Sequence, residues 1–243
     1  IEITGAPRFD PFLRMIPTLD RKAFCAANAL DPTKPILAYL GSSKFIAPDE
    51  MQFVMRWLET LRTCSDTSVA TAGIVLRPHP RQKEEWLAAD WSRWERVTVS
   101  VSDYQNADQQ LFNCLYHSAA AVELNTSAAL EAALTQTPVF TVRADEFKEG
   151  QAGTLHFHYL LEDNGGCVRE ADSLDAHTRQ LGALLAGDPE AVRDRTAAFV
   201  ARFVRGGLEG ELPTERMVRA LETVGGSWLE RTRRRLRRRC RRV

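Results

Sequence analysis

Residues 111–143 read LFNCLYHSAAAVELNTSAALEAALTQTPVFTVR, and this stretch decides the fold. Its apolar spacing predicts alternating helices and strands: a helix over 108–117, a buried strand over 120–124, a polar turn, a helix over 128–134 and a strand over 138–142. Strands that alternate with helices in this way form a parallel sheet. The stretch therefore predicts an α/β domain.

The polar turn consists of Asn125, Thr126 and Ser127. Where a parallel strand gives way to a helix, free backbone N–H groups and the positive end of the helix dipole point at one spot. Thr126 and Ser127 are therefore candidate phosphate contacts. Glu131, one turn into the helix, is a candidate acceptor for neutral hydroxyls such as those of a ribose. The same residues are also typical of an ordinary helix cap, and on this stretch alone we favour capping.

The flanking sequence repeats the pattern on both sides. Before the stretch, apolar runs predict strands over 36–40, 72–76 and 97–101, with a helix over 49–62. These strands read apolar throughout, which indicates a sheet covered by helices on both faces. After it, further helices are predicted over 173–186, 189–205 and 213–223. The fold class is a doubly wound parallel sheet, Rossmann-like, with C-terminal helices.

Polar residues follow four of the predicted strands. The four strand exits are Gly41-Ser42-Ser43, Arg77-Pro78-His79-Pro80, Asn125-Thr126-Ser127 and Arg143 with its neighbours. In open parallel sheets, ligands bind in the crevice beyond the carboxyl ends of the strands. The topology therefore predicts that the exits line one edge, and four such exits favour an anionic ligand over a set of caps.

Length and composition are those of a globular protein with ample core. The 243 residues suit one large domain or two small ones, and no apolar run is long enough to predict a membrane-spanning helix. Five scattered cysteines favour a reducing compartment over a disulfide framework or a zinc site. The chain begins at Ile1 with no leader-like pattern, and we expect it to be a segment of a longer protein.

The net charge of zero hides an asymmetry. Nine of the 32 basic residues lie between Arg231 and Arg242, so residues 1–229 hold 23 basic and 31 acidic residues. Such a tail can bind anionic phospholipid or remain a solvated terminus, and the sequence favours neither. Nucleic acid would use the same charge, but the acidic remainder of the chain offers no supporting basic face, so we expect no nucleic-acid partner.

His156 and His158 could share one strand face if residues 153–159 formed a strand, although the same residues also suit a lid. Two histidines alone do not make a metal site, and we predict no metal.

Three segments together resemble the C-terminal, donor-binding half of GT-B-type glycosyltransferases. More narrowly, they resemble the bacterial surface-polysaccharide and CDP-glycerol glycerophosphotransferase-like group, whose neighbours include UDP-N-acetylglucosamine 2-epimerases. The segments are ITGAPRFDPF at 3–12, RPHP at 77–80 and NTSAALEAALTQTPVF at 125–140. The resemblance implies the end of a missing domain or a linker over 1–34, a nucleotide-donor-binding domain over 35–225 and an arginine-rich tail over 226–243.

The resemblance also implies roles for individual residues. Arg77 and His79 would act on the leaving diphosphate, and Glu131 would hold the ribose. The donor would contact Gly41, Ser42, Ser43, Asn125, Thr126, Ser127, Glu131 and Arg143. The implied donor is a nucleotide-activated sugar or a CDP-alditol, with neither metal nor cofactor. The acceptor would be a glycan or lipid-linked, and the enzyme cytoplasmic. Lipid binding by the arginine tail, one of its two open interpretations, would place the enzyme at the inner membrane and suit a lipid-linked acceptor.

Two other functions stay open at this stage. One is a nucleotide-sugar 2-epimerase, although the Asp-Ser-Gly-Gly sequence of that group is replaced here by Asn125-Thr126-Ser127-Ala128. The other is a non-catalytic nucleotide-binding module.

Overall fold

In the computed structural model, the described residues are 1–103, 105–187, 190–207 and 210–240, with side chains for all of these except 190, 191, 193 and 227–240. Their strands are β1 Ile36–Leu40, β2 Gly73–Arg77, β3 Val97–Val99, β4 Ala120–Glu123, β5 Val139–Val142 and β6 Val168–Ala171. Their helices are α1 Asp10–Arg14, α2 Arg21–Ala27, α3 Glu50–Thr63, α4 Thr67–Ala70, α5 Lys83–Ala88, α6 Ala107–His117, α7 Ala128–Leu134, α8 Leu155–Leu160, α9 Leu174–Ala186, α10 Glu190–Phe199 and α11 Pro213–Cys240.

The strands form one parallel sheet in the order β3-β2-β1-β4-β5-β6. The chain winds outward from β1 to β3, returns to the centre at β4 and winds outward again to β6. Strand order therefore reverses between β1 and β4, which are neighbours with Leu40 paired to Glu123. This is the order of a doubly wound α/β fold, and the fold class predicted from the sequence is confirmed.

Helices cover both faces of the sheet. Helices α3, α4 and α9 pack together, and a second group consists of α2, α6, α7 and α10. All five residues of β1 are buried, which explains why the central strands read apolar throughout. Trp57 and Trp86 pack against Tyr39 of β1, with ring centroids 5.3 and 6.1 Å from that of Tyr39. Trp57 and Trp86 are therefore core residues.

Residues 153–159 contain no strand. Residues Leu155–Leu160 form helix α8, in which Phe157 is buried while Leu155 and Tyr159 are exposed. The alternation of apolar residues suited a strand as one of two interpretations. The edge of the sheet beside β5 is occupied by β6, however, and these residues fold as a helix instead. Strand β6 was itself not predicted: its central residues, Arg169 and Glu170, are only half-buried, so it has the charged composition of an edge strand.

Contacts divide the chain into two compact units, residues 15–199 and residues 1–14 with 200–243. The first holds the whole sheet. The domain boundaries expected after residues 34 and 225 concern roles in a longer protein and stay predictions.

In the second unit, the N-terminal segment is hydrogen-bonded to the segment before α11 and to the first turn of α11. The N–H of Ala6 donates to the carbonyl of Val204 at 2.8 Å, and the N–H of Thr214 donates to the Asp10 carboxylate at 2.9 Å. Helix α11 is longer than the 213–223 expected, because it continues through Gly225 and Gly226 into the arginine-rich segment as far as Cys240. Residues 241–243 of the predicted tail lie outside the described residues. No helix in the described part of the chain is long and apolar enough to cross a membrane.

The exits of β1 and β2 approach each other too closely for a side chain at Gly41. A Cβ atom there would lie 2.9 Å from the His79 nitrogen and 3.1 Å from the Arg77 carbonyl oxygen. We expect Gly41→Ala to lower the free energy of unfolding by about 1–3 kcal/mol, because backbone atoms must move to admit the methyl group. Urea unfolding followed by circular dichroism measures the change.

Ser43→Ala is the matched control, because it alters the same loop without adding an atom. Its free energy of unfolding should stay within about 0.5 kcal/mol of the parent. Equal stability of Gly41→Ala and the parent would contradict the close approach.

Candidate functional site

The loop after β1 lies directly against the loop after β2. The N–H of Gly41 donates to the Arg77 carbonyl at 2.8 Å, which extends the strand pairing past the end of β1. A Cβ atom added to Gly41 would lie only 2.9 Å from the His79 nitrogen, so the Ser42 and His79 segments run side by side. Two of the four predicted strand exits are therefore in contact.

The exits of β1 and β4 meet where the strand order reverses. The backbone N–H of Asn125 donates to the Ser42 hydroxyl at 3.4 Å, and both residues are buried. Crevices at such a reversal are the usual ligand sites of doubly wound sheets. The topology thus brings together Ser42, Asn125 and the turn that follows, as the sequence predicted.

The turn before α7 is not a conventional side-chain cap. Ser127 occupies the N-cap position but its hydroxyl makes no capping hydrogen bond, and its side chain is exposed. The Asn125 amide is turned away from the helix, since its Nδ2 donates to the Gly150 carbonyl at 2.6 Å and to the Thr154 hydroxyl at 3.1 Å. The capping interpretation favoured from the stretch alone is therefore not what Asn125 and Ser127 do.

A buried carboxylate folds back onto the β1 exit. Glu50, the first residue of α3, accepts the Ser42 N–H at 3.0 and 2.9 Å and the Tyr39 hydroxyl at 3.0 Å. It is 1% exposed. Burial raises the pKa of Glu50 to about 7, although the hydrogen bonds from Ser42 and Tyr39 act in the opposite direction.

A second buried carboxylate ends β4. The N–H of Thr126 donates to Glu123 Oε2 at 2.6 Å, while Oε1 is buried with no hydrogen-bond partner among the described residues. Burial raises the pKa of Glu123 to about 8; the Thr126 N–H lowers it and the charge of Glu50 raises it further. The two carboxyls therefore interact, and near neutral pH each is close to its point of protonation.

These two glutamates change the chemistry expected at the crevice. The backbone N–H groups of Ser42 and Thr126, which could have received a phosphate, donate to carboxylates. An ionised carboxylate repels phosphate, whereas a carboxyl group in either protonation state can exchange hydrogen bonds with neutral hydroxyls. Neither glutamate was singled out in the sequence, although Glu123 stands out as the charged end of an otherwise apolar strand.

A cationic side chain, that of Arg77, lies at the exit of β2, and its guanidinium contacts the segment that follows β3. The Arg77 guanidinium donates to the Ser100 hydroxyl at 3.4 Å and to the Ser102 hydroxyl, and no carboxylate among the described residues pairs with it. Burial lowers the pKa of Arg77. Its charge is thus desolvated and held by neutral groups.

His79 lies next to Arg77 beyond the strand. Its Nδ1 accepts the backbone N–H of Arg81 at 3.3 Å, so in the neutral ring the proton sits on Nε2. Burial lowers the pKa of His79, and the nearby Arg81 lowers it further. His79 is therefore a neutral imidazole at pH 7 with one N–H to donate.

Glu131 and Arg143 lie on the side of the reversal that carries α7 and β5. Glu131 is buried in the first turn of α7, and α10 packs against this helix. Arg143 follows β5 and forms an ion pair with Glu170 of β6, its Nε lying 3.1 Å from Oε1. The charge of Arg143 is thus already compensated. The roles of both residues in donor binding stay predictions.

Helix α8 adds a side chain that the sequence assigned differently. His156 Nε2 lies 3.2 Å from Asn125 Oδ1, whereas His158 Nε2 lies 2.9 Å from the Ala152 carbonyl. The two histidines therefore bond to different partners on a helix. His156 is exposed beside the β4 exit, where it completes the hydrogen bonding of the Asn125 amide.

The paired carboxyls make stability depend on pH in a predictable direction. The folded chain keeps protons on Glu50 and Glu123 up to pH values near 7 and 8, whereas an unperturbed glutamate ionises near 4.5. The free energy of unfolding should therefore fall as pH rises, by about 1–2 kcal/mol between about pH 7 and 8.5. Urea unfolding at a series of pH values measures the slope. His177, whose pKa burial lowers to about 3, is neutral in this window in the folded chain and contributes little.

Glu123→Gln should flatten most of this slope and Glu50→Gln part of it. Glu149→Gln, at an exposed position, is the control and should retain the parent slope. An unchanged slope in both buried-site variants would contradict the assignment.

Solved structures of other proteins share this fold. WaaG, a glycosyltransferase involved in lipopolysaccharide biosynthesis, matches with a TM-score of 0.52 and 16% identity over 91% of this chain and 55% of that chain. The wall teichoic acid polymerase TagF matches with a TM-score of 0.55 and 17% identity over 93% of this chain and 48% of that chain. A protein described as a UDP-N-acetylglucosamine 2-epimerase from Listeria monocytogenes matches with a TM-score of 0.55 and 14% identity over 93% of this chain and 54% of that chain.

This chain spans about half the length of these structures. No protein-family model matches the sequence, and no curated protein matches it either. At identities of 14–17%, the likeness concerns the fold. The six parallel strands with helices on both faces form a Rossmann-like α/β domain, and its fold is similar to that of about half of each of these structures.

Proposed function

We propose that this chain is the donor-binding part of a GT-B-type transferase that uses a nucleotide-activated sugar or a CDP-alditol to build a bacterial surface polysaccharide. The observation that carries the proposal is the meeting of Ser42 and Asn125 at the reversal of strand order. Support comes from the fold shared with WaaG and TagF, which are described as acting in lipopolysaccharide biosynthesis and wall teichoic acid polymerisation.

The two sides of the crevice differ in charge, so they suit different parts of the donor. On the β2 side, Arg77 and His79 suit the diphosphate, because one brings a positive charge and the other a neutral N–H donor. On the β1 and β4 side, Glu50 and Glu123 suit hydroxyl groups of the sugar or alditol, because a carboxyl group exchanges hydrogen bonds with hydroxyls and repels phosphate once it is ionised. Glu131 accepts hydrogen bonds from the ribose hydroxyls. Thr126 and Ser127 form the turn between Glu123 and Glu131.

The transfer step follows from this division. When the bond between donor group and diphosphate breaks, negative charge develops on the departing phosphate oxygens. Arg77 stabilises that charge more than it stabilises the intact donor, and burial strengthens the attraction. His79 Nε2 donates a hydrogen bond to the same oxygens. The scheme uses neither metal nor cofactor.

The acceptor and the general base belong to a part of the protein outside this chain. The solved neighbours are about twice as long, so half of a comparable enzyme would lie elsewhere. The acceptor is a glycan or a lipid-linked chain, handled at the cytoplasmic side of the inner membrane. This chain alone should therefore bind donor without efficient turnover.

A 2-epimerase is the second candidate, because the epimerase structure matches as well as TagF does. Residues 125–128 of this chain, Asn-Thr-Ser-Ala, depart from the Asp-Ser-Gly-Gly sequence of that group and weigh against it. A non-catalytic nucleotide-binding module would have the same crevice. Epimerised nucleotide sugar as product would identify the first, and donor binding without any product in the full-length protein the second.

Calorimetric titration of the chain with UDP, CDP and GDP tests donor binding. We expect one of the three to bind, and Arg77→Gln to weaken that binding by at least about tenfold, because a buried charge-assisted contact to phosphate is lost. Glu131→Gln should weaken it through loss of the ribose contact. Arg179→Gln, a change at an exposed position of α9, should bind as the parent does.

Folding of each variant is checked by circular dichroism before titration. Failure of the folded parent chain to bind any of the three nucleotides would contradict the proposal. Equal affinity of Arg77→Gln and Arg179→Gln would remove Arg77 from the site.

A further inference from the structure

Helix α11 carries a stripe of exposed apolar side chains. Met217, Val218, Leu221 and Val224 are 43, 48, 61 and 63% exposed. Met217, Leu221 and Val224 are spaced by four and three residues, so they follow one side of the helix, with Val218 at its margin. Four large apolar residues in one exposed stripe are costly in water, which points to a partner that covers them.

The start of the same helix is fixed within its own unit. Arg216, beside the stripe, is 1% exposed, and its guanidinium donates to the carbonyls of Arg205 and Glu211. The Thr214 N–H donates to Asp10. The first turns are thus held by hydrogen bonds, while Met217, Val218 and Leu221 remain exposed.

The helix then continues into the most basic segment of the chain. Its backbone is helical from Pro213 to Cys240, and nine arginines lie between Arg231 and Arg242 with Glu230 as the nearest acidic residue. An exposed apolar stripe followed on the same helix by concentrated positive charge is the composition of a helix that lies in a membrane interface.

We propose that α11 binds the surface of a bilayer of anionic phospholipids. Met217, Leu221 and Val224 enter the boundary between headgroups and acyl chains, and the arginines of 231–242 bind the phosphate headgroups. This inference concerns the unit of residues 1–14 and 200–243 and does not rest on the donor site.

Other occupants explain only one of the two features. Nucleic acid would bind the arginines but leave the apolar stripe in water, and the net acidic remainder of the chain would repel it. A second copy of α11 packed in parallel would cover the stripe but bring two arginine-rich segments together, and an antiparallel copy would leave both segments without an anionic partner. An anionic bilayer satisfies both the stripe and the charge.

Flotation of the chain with vesicles tests the proposal. Vesicles of phosphatidylglycerol mixed with phosphatidylcholine should carry the chain to the top of the gradient, and vesicles of phosphatidylcholine alone should not. Leu221→Glu should lower the partition coefficient onto the anionic vesicles by at least about tenfold, because it removes an inserted side chain and adds a negative charge. Replacing Arg233, Arg234 and Arg235 together by glutamine should also weaken binding and reduce its dependence on salt.

Leu87→Glu is the matched control, since Leu87 is a 54% exposed leucine on helix α5 and its replacement should leave vesicle binding unchanged. Three outcomes would overturn the proposal. These are no binding to anionic vesicles by the folded chain, equal binding by Leu221→Glu and the parent, and tighter binding to duplex DNA than to vesicles at the same salt. Donor titration of Leu221→Glu should match the parent, so failure here is separable from failure of the donor site.

Discussion

The reversal of strand order between β1 and β4 is the constraint on which the crevice depends. Two neighbouring parallel strands end at the same level, with Leu40 paired to Glu123, yet the chain leaves them toward opposite faces of the sheet. In doubly wound sheets the loops at such a reversal usually border the ligand crevice. Here the two loops touch at their bases, where the hydroxyl of Ser42 accepts the N–H of Asn125.

Burial of two carboxyls at this point costs stability. A desolvated carboxylate is expensive unless it is protonated or surrounded by donors, and Glu123 Oε1 has no donor among the described residues. The same dry, acidic environment acts on its neighbours: burial raises the pKa of Cys167 to about 12, with a further contribution from Glu123. Groups held at such cost in a crevice are typical of functional sites.

The sequence predicted an element correctly where the composition of that segment alone determines its secondary structure. Strand β1 and helix α7 have the predicted bounds, because apolar runs between turn residues leave little choice. Strand β6 and helix α8 were missed, since an edge strand tolerates charge and a short helix is decided by what it packs against.

The candidate site, too, could be predicted from the sequence only in part. Topology predicts that strand exits gather, so Ser42, His79 and Asn125 could be placed from sequence. No sequence pattern shows that Glu50 folds back onto the Ser42 N–H or that Arg143 is neutralised by Glu170, because each depends on residues brought together by the fold. Contacts of this kind have no local signal.

The carboxyl pair also couples the crevice to the charge of whatever enters it. A diphosphate bound near Glu50 and Glu123 would disfavour their ionised forms, and raise pKa values that already lie near 7 and 8. Donor binding would then draw protons from solvent at neutral pH, whereas departure of the diphosphate would release them. On the proposed function, near-neutral pKa values would let the two carboxyls take up protons beside an anionic donor and release them when it leaves. A pair of fully ionised surface carboxylates would repel the donor throughout, and a pair of apolar residues would offer the hydroxyls nothing.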